Sequence, residues 1–184
     1  VDVAVSGIPF DNAVTYRPGC RLGPRAIRQA SVQLAELDAF PFGFNLFDNL
    51  SIVDYGDCFL DPHHPETISK AIEDHAKQIL AAETKMLTFG GDHFISYPLI
   101  KAHAEKYGPI ALIQFDAHCD TWPDDGNSVD HGTMFARAAS AGIIDVSKST
   151  QLGFGTYYDR DHGFEILTST WVHRTGIHAA LEVV

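Results

Sequence analysis

The sequence predicts an α/β fold, a three-layer α/β/α domain built around a mainly parallel sheet. Three observations predict it. Apolar runs alternate with amphipathic stretches along the chain. The apolar runs are continuous rather than alternating in and out, as expected of strands covered on both faces. The 184 residues, 45% hydrophobic and 20% charged, have the composition of one globular domain with its own core.

Val3–Ile8 reads as the first strand. Gly23-Pro24 opens a helix, with proline in its first turn. Ile27, Ala30, Leu34 and Leu37 then keep a 3-4-3 spacing that predicts one apolar face. Phe40 to Asn49 is aromatic and carries Gly and Pro, which predicts a long loop. Ser51–Tyr55 is a second strand, and Pro65–Glu83 a helix whose Ile68, Ala71, Ile72, Ile79 and Leu80 share a side. Lys85–Phe89 is a third strand. Tyr97–Tyr107 is a helix stopped by Gly108-Pro109. Ile110–Phe115 and Ser149–Gly153 are further strands, separated by a short helix from Thr133 to Ala141, and Gly176–Val184 is a last helix. No internal repeat or linker divides residues 1–184, so a single domain is expected. Val1 stands at the edge of a strand and Leu181–Val184 leaves an apolar face unfinished. The chain is therefore expected to be cut at both ends, and its sheet truncated on the C-terminal side.

Thirteen Lys and Arg against 24 Asp and Glu leave a net charge of −11. Phosphate backbones repel such a protein, which argues against nucleic acid as a partner. A cationic substrate suits it better. No apolar run approaches the ~20 residues of a membrane span. Cys20, Cys58 and Cys119 are odd in number and form no C-x-x-C pair, which fits a reduced cytoplasmic setting.

Asp116-Ala-His118-Cys-Asp120 follows directly on the Ile110–Phe115 run. In an extended chain Asp116, His118 and Asp120 would point the same way, neighbouring members ~6.5 Å apart at Cα. That suits ligands converging on two ions ~3.5–4 Å apart. Cys119 would point the other way. Alone, the motif also has a second reading, a polar strand end bonded to loop backbone. Gly90-Gly91-Asp92-His93 follows the Lys85–Phe89 strand, and its glycines allow a sharp turn that delivers His93 to the carboxyl edge of the sheet. Asp92 could instead cap the next helix. Two such clusters ending strands at one edge predict a metal site. Mixed carboxylate and imidazole donors without thiolate favour Mn(II)-like ions over structural zinc. Asp130-His131-Gly-Thr-Met-Phe135 opens a short helix after the loop from Trp122 to Val129. His131 there could shuttle a proton or cap the helix. His63, His64, His75, His103, His162, His173 and His178 show no ligand pattern.

Gly-Gly-Asp-His, Asp-Ala-His-x-Asp and His-Gly-Thr-Met-Phe, in this order, resemble the ureohydrolase (arginase/agmatinase) family. Gly7-Ile-Pro-Phe-Asp11, Arg21-Leu-Gly-Pro-Arg-Ala-Ile-Arg28 and Asp54-Tyr-Gly-Asp57 resemble it too, so the likeness runs over nearly the whole chain. His-Gly-Thr-Met-Phe and Asp159-Arg-Asp-His-Gly-Phe164 lean towards agmatinases. The resemblance implies an arginase-like fold and two Mn(2+) ions per complete site. By it, His93 and Asp120 hold one manganese, His118 holds the other, Asp116 bridges, and His131 transfers a proton. Hydroxide attack on the guanidinium carbon would release urea and an amine, putrescine if agmatine is the substrate. The family's tendency to trimers or hexamers implies a homo-oligomer.

The family's later Ser-x-Asp-x-Asp motif and distal Glu do not occur here. Asp159-Arg160-Asp161 has D-x-D spacing, but no apolar strand leads into it. Gly155 stands where relatives often carry Arg, which bears on substrate preference. With four of six ligands, this polypeptide is expected to bind metal weakly and to show little activity, the function belonging to its parent protein. The rivals are a hydrolase of another guanidino compound, such as guanidinobutyrate or a proclavaminate-type substrate, and a catalytically dead paralogue that binds an active subunit.

Overall fold

The computed structural model describes residues 1–34, 37–158 and 160–184. The chain divides into two compact units, Val1–Leu99 and Ile100–Val184.

In the first unit three strands form a parallel sheet in the order β2-β1-β3. They are β1 (Val3–Ile8), β2 (Ile52–Asp57) and β3 (Lys85–Gly90). Val3 pairs with Ile52 on one side and with Lys85 on the other; β1 and β3 stay in register from Val3 to Ile8, while the β1–β2 register shifts between Val5 and Ser6. Helix α1 (Gly23–Ser31) starts on Pro24 and gives way to a single 3-10 turn, Val32–Leu34. Its expected apolar face is not a core face: Ile27, Leu34 and Leu37 are all exposed. Pro24 is the buried contact of α1 instead, and Arg28 anchors it, its guanidinium donating to Asp54 (2.7 and 2.9 Å) and Asp57 (2.5 Å) on β2. Helix α2 (Ile68–Ala81) buries Ile68, Ile72, Ala76, Ile79 and Leu80. Ile68, Ile72, Ile79 and Leu80 are on the face the sequence predicts, while Ala76 is buried and the expected Ala71 is only partly so. The core of this unit gathers Ile8, Phe10, Ile68, Ile72, Phe94 and Ile95. Residues 40–49 are the expected loop, with Phe40, Phe42 and Phe47 exposed. Helix α3 (Ser96–Tyr107) leads from one unit into the other and stops at Gly108, whose φ of 81° suits glycine.

In the second unit β4 (Ile113–Phe115), β5 (Thr150–Leu152) and β6 (Glu165–Leu167) form a parallel sheet in sequence order. The strand expected over Ile110–Phe115 is shorter than its apolar run, although Ile110 still bridges Ile144. Helix α4 (Met134–Ser140) buries Met134, Phe135, Ala136 and Ala138. Strand β6 and helix α5 (Ser169–Thr175) were not expected. The Thr168 hydroxyl caps α5 by accepting from Trp171 N at 3.2 Å. Helix α6 (Ile177–Val183) ends the chain. Leu152, Leu167 and Ala180 pack together with Trp171 and Val172. Among the described residues no helix is long and apolar enough to cross a membrane.

Candidate metal centre

Residues 116–120 leave β4 as a turn, not as a continued strand. The Asp116 carboxylate accepts the backbone N–H of His118 at 2.8 Å, and Asp120 has a left-handed backbone with φ 52°. This corrects the expected alternation. The carboxylates meet because the chain folds back on itself, a conformation that Asp tolerates better than most residues. A carboxylate oxygen of Asp116 and one of Asp120 lie within 4.8 Å of each other. Asp120 is only 5% exposed. The His118 imidazole Nδ1 is 3.4 Å from Asp116 Oδ1, with its side chain 62% exposed. Cys119 is buried.

The turn is held through its backbone. Ala117 O accepts from Gly155 N at 3.2 Å, and Asp120 O accepts from Phe135 N at 3.1 Å. His118 O accepts from Gln114 Nε2 at 3.3 Å, and Cys119 O accepts from Gln151 Nε2 at 2.7 Å. The same Gln151 amide donates to Gln114 Oε1 at 2.6 Å, so two buried glutamines from neighbouring strands brace the turn. Neither glutamine carries a motif signal. An amide at an apolar strand position was the cue. The two carboxylates repel each other at this spacing, and a divalent cation converts that repulsion into attraction. The donor set therefore fits a hard or borderline metal ion.

His93 belongs to the first unit and follows β3. Gly91 has φ 73°, and a Cβ there would lie 2.4 Å from Ile8 O and 2.8 Å from Phe10 O, so no other residue fits. Asp92 is the capping residue the sequence allowed for. Its carboxylate accepts from Phe94 N at 3.0 Å and from Ala13 N at 2.9 Å. His93 then opens a 3-10 turn that precedes α3.

His131 lies in the second unit, two residues before the N-cap of α4, which is Thr133. It is half-buried, and it is not the residue that caps the helix. Asp130 Oδ1 accepts from Gly132 N at 2.6 Å, and Trp122 N donates to Gly132 O at 3.0 Å, which holds the residue after His131 at both its N–H and its carbonyl. Asp159 lies outside the described residues. Asp161 accepts from Gly163 N at 3.0 Å in a local turn, and among the described residues no strand leads into it. His75 accepts or donates a hydrogen bond with Ser6 at 2.5 Å, and His64 pairs with Glu66, in keeping with structural roles for both.

The whole sequence, residues 1–184, matches the arginase family. The chain belongs to the arginase family. It is 58% identical over 183 residues to an agmatinase from Chromobacterium violaceum, covering 98% of this chain and 57% of that protein. A solved structure described as a hypothetical agmatinase from Burkholderia thailandensis is 56% identical, with a TM-score of 0.96 over 99% of this chain and 58% of that one. Proclavaminate amidino hydrolase from Streptomyces clavuligerus is 31% identical, with a TM-score of 0.89 over 99% of this chain and 63% of that one. The chain thus spans somewhat over half the length of these relatives. The arginase family's α/β fold is the one the alternating elements predicted.

Proposed function

We propose that this chain supplies part of the active site of a manganese-dependent ureohydrolase, acting on agmatine to give putrescine and urea. The Asp116–Asp120 carboxylate pair, set in a turn braced at every carbonyl from Ala117 to Asp120, is the observation that carries this reading. The 58% identity to an agmatinase supports the choice of substrate. In this reading His93, Asp116, His118 and Asp120 hold two Mn(2+) ions. When bound, the ions supply Lewis acidity and lower the pKa of water. The half-buried His131 exchanges a proton with the departing amine. The acidic protein, at −11, draws in a guanidinium cation. Residues 1–184 belong to a single domain of a cytoplasmic homo-oligomer.

A sibling substrate is the second reading. It is favoured by the 31% identity to a proclavaminate amidino hydrolase and by Gly155 at a position where resemblance expects Arg. Urea release from agmatine, guanidinobutyrate and a proclavaminate-type compound, measured on the full-length protein with Mn(II), separates the two. Turnover of none of the three would remove the hydrolase reading.

A further inference from the structure

Between the Asp116–Asp120 turn and His131 the chain runs through an exposed loop with its tip at Gly126. The Asp125 side chain shapes the tip locally, accepting from Asn127 N (2.8 Å), Ser128 N (2.7 Å) and the Ser128 hydroxyl (2.6 Å). Those bonds curl the tip but do not tie it to the rest of the unit. Arg137, on α4, does. Its Nε donates to Asp124 Oδ2 at 2.9 Å and its Nη2 to Asp124 Oδ1 at 2.6 Å. The same Nη2 donates to the carbonyl of Ser128 at 2.8 Å. The Thr133 hydroxyl adds a longer bond to Asp124 at 3.4 Å. Both partners are largely buried, with side-chain exposures of 15% and 13%. Bidentate Arg–carboxylate pairs fix orientation as well as proximity. The fork holds the Asp124 carboxyl below its ordinary range.

Both ends of this loop carry chemistry. Its start is pinned to α4 by the Phe135–Asp120 backbone bond, and its end delivers His131. We propose that Arg137 is a positioning residue for hydrolysis: by forking Asp124 and holding the Ser128 carbonyl, it locks the 122–130 loop onto α4 and so fixes His131 relative to Asp120. The inference rests on the hydrolase reading above and extends it to a residue outside the Gly90–His93, Asp116–Asp120 and His131 motifs. Misplacing a reacting group by about 1 Å costs about 100-fold in rate. A loosened loop therefore lowers turnover while leaving affinity for the substrate near its original value.

The test is steady-state urea release from agmatine by the Mn(II)-loaded full-length protein, for wild type, Arg137→Ala, Arg137→Lys, Asp124→Asn and the Arg137→Ala/Asp124→Asn double variant. Limited proteolysis of the loop is followed in parallel. Arg137→Ala is expected to lower kcat at least tenfold with KM within twofold, and to speed cleavage within residues 125–129. Arg137→Lys, which keeps one donor but not the fork, should recover part of the loss. The double variant should be no slower than the worse single one, because both changes open the same clamp. If Arg137→Ala does not fold, a lysine variant with wild-type kcat and wild-type loop cleavage overturns the proposal. So does an alanine variant with kcat within twofold, an additive double variant, or a kcat loss without faster loop cleavage. A wild-type protein that releases no urea from any guanidino compound removes the hydrolase reading and this inference together. An active wild type with an unaffected Arg137→Ala removes this inference alone.

Discussion

The backbone N–H of Phe135 donates to the carbonyl of Asp120 at 3.1 Å. Phe135 is buried in the second residue of α4, so a helix packed into the core sets the height of a metal-ligand candidate. The left-handed Asp120 is thereby held by a rigid element and not by loop contacts alone.

Asp120→Asn removes one of the two charges from the carboxylate pair while keeping its shape. Supporting outer-shell residues are already worth about 10–100-fold in metal affinity. Loss of a ligand charge should weaken Mn(II) binding by roughly 100-fold, read as free Mn(II) by electron paramagnetic resonance in a titration of the full-length protein. An unchanged binding curve would take Asp120 out of the site.

Gln151→Leu strands Gln114 Oε1 and Cys119 O, the two acceptors its amide now serves. A buried acceptor left without a donor costs about 1–3 kcal/mol. The variant should lose about 3 kcal/mol of stability in urea unfolding. A loss below about 0.5 kcal/mol, the range of an ordinary surface change, would show that the glutamine pair braces nothing.

Gly91→Ala places a methyl against the carbonyls of Ile8 and Phe10 and forces alanine into φ 73°. Strain at such a site costs about 1–3 kcal/mol even without the clash. The expected result is a marked drop in soluble yield and in urea midpoint. Wild-type behaviour would mean that the turn before His93 can be rebuilt cheaply.

Burial lowers the pKa of His75 from its ordinary 6.5, with the nearby Asp57 carboxylate partly opposing the shift. Ser6, Tyr55 and Asp57 face the ring. The folded pKa lies below the unfolded one, so acid protonates the unfolded chain first. The His75 contribution is complete above pH 6.5 and is lost as pH falls from there towards the folded value. His75→Gln should flatten the decline in urea midpoint as pH falls below 6.5. Equal slopes for variant and wild type would place the pH dependence elsewhere.

Strands β1 and β3 were legible because continuous apolar runs bounded by turn residues have few other readings. The α2 stripe was legible because 14 residues give its periodicity room to repeat. The α1 face was not. Its helix ends after nine residues, so Leu34 and Leu37 fall beyond it, and an ion pair through Arg28 holds the helix where an apolar face was expected. Strand β6 has three residues, Glu165, Ile166 and Leu167, too few to show a period. The approach of the Asp116 and Asp120 carboxylates was legible from residue type and spacing. Their geometry was not, because D-x-H-x-D spacing is the same in a strand and in a turn. The Asp124–Arg137 fork and the Gln114–Gln151 pair escaped because long-range partners 13 and 37 residues apart leave no local pattern.

Each unit holds one deeply enclosed thiol: Cys58 in the first, pushed up to about 11 by burial, and Cys119 in the second, 2% exposed within the 116–120 turn. Alkylating reagents react with thiolate, and neither sulfur is accessible while its surroundings stay closed. The rate at which each takes up label is therefore a clock for the opening of its own half. Mass spectrometry of the two peptides reads both clocks from one sample, and it shows whether added metal slows the second alone.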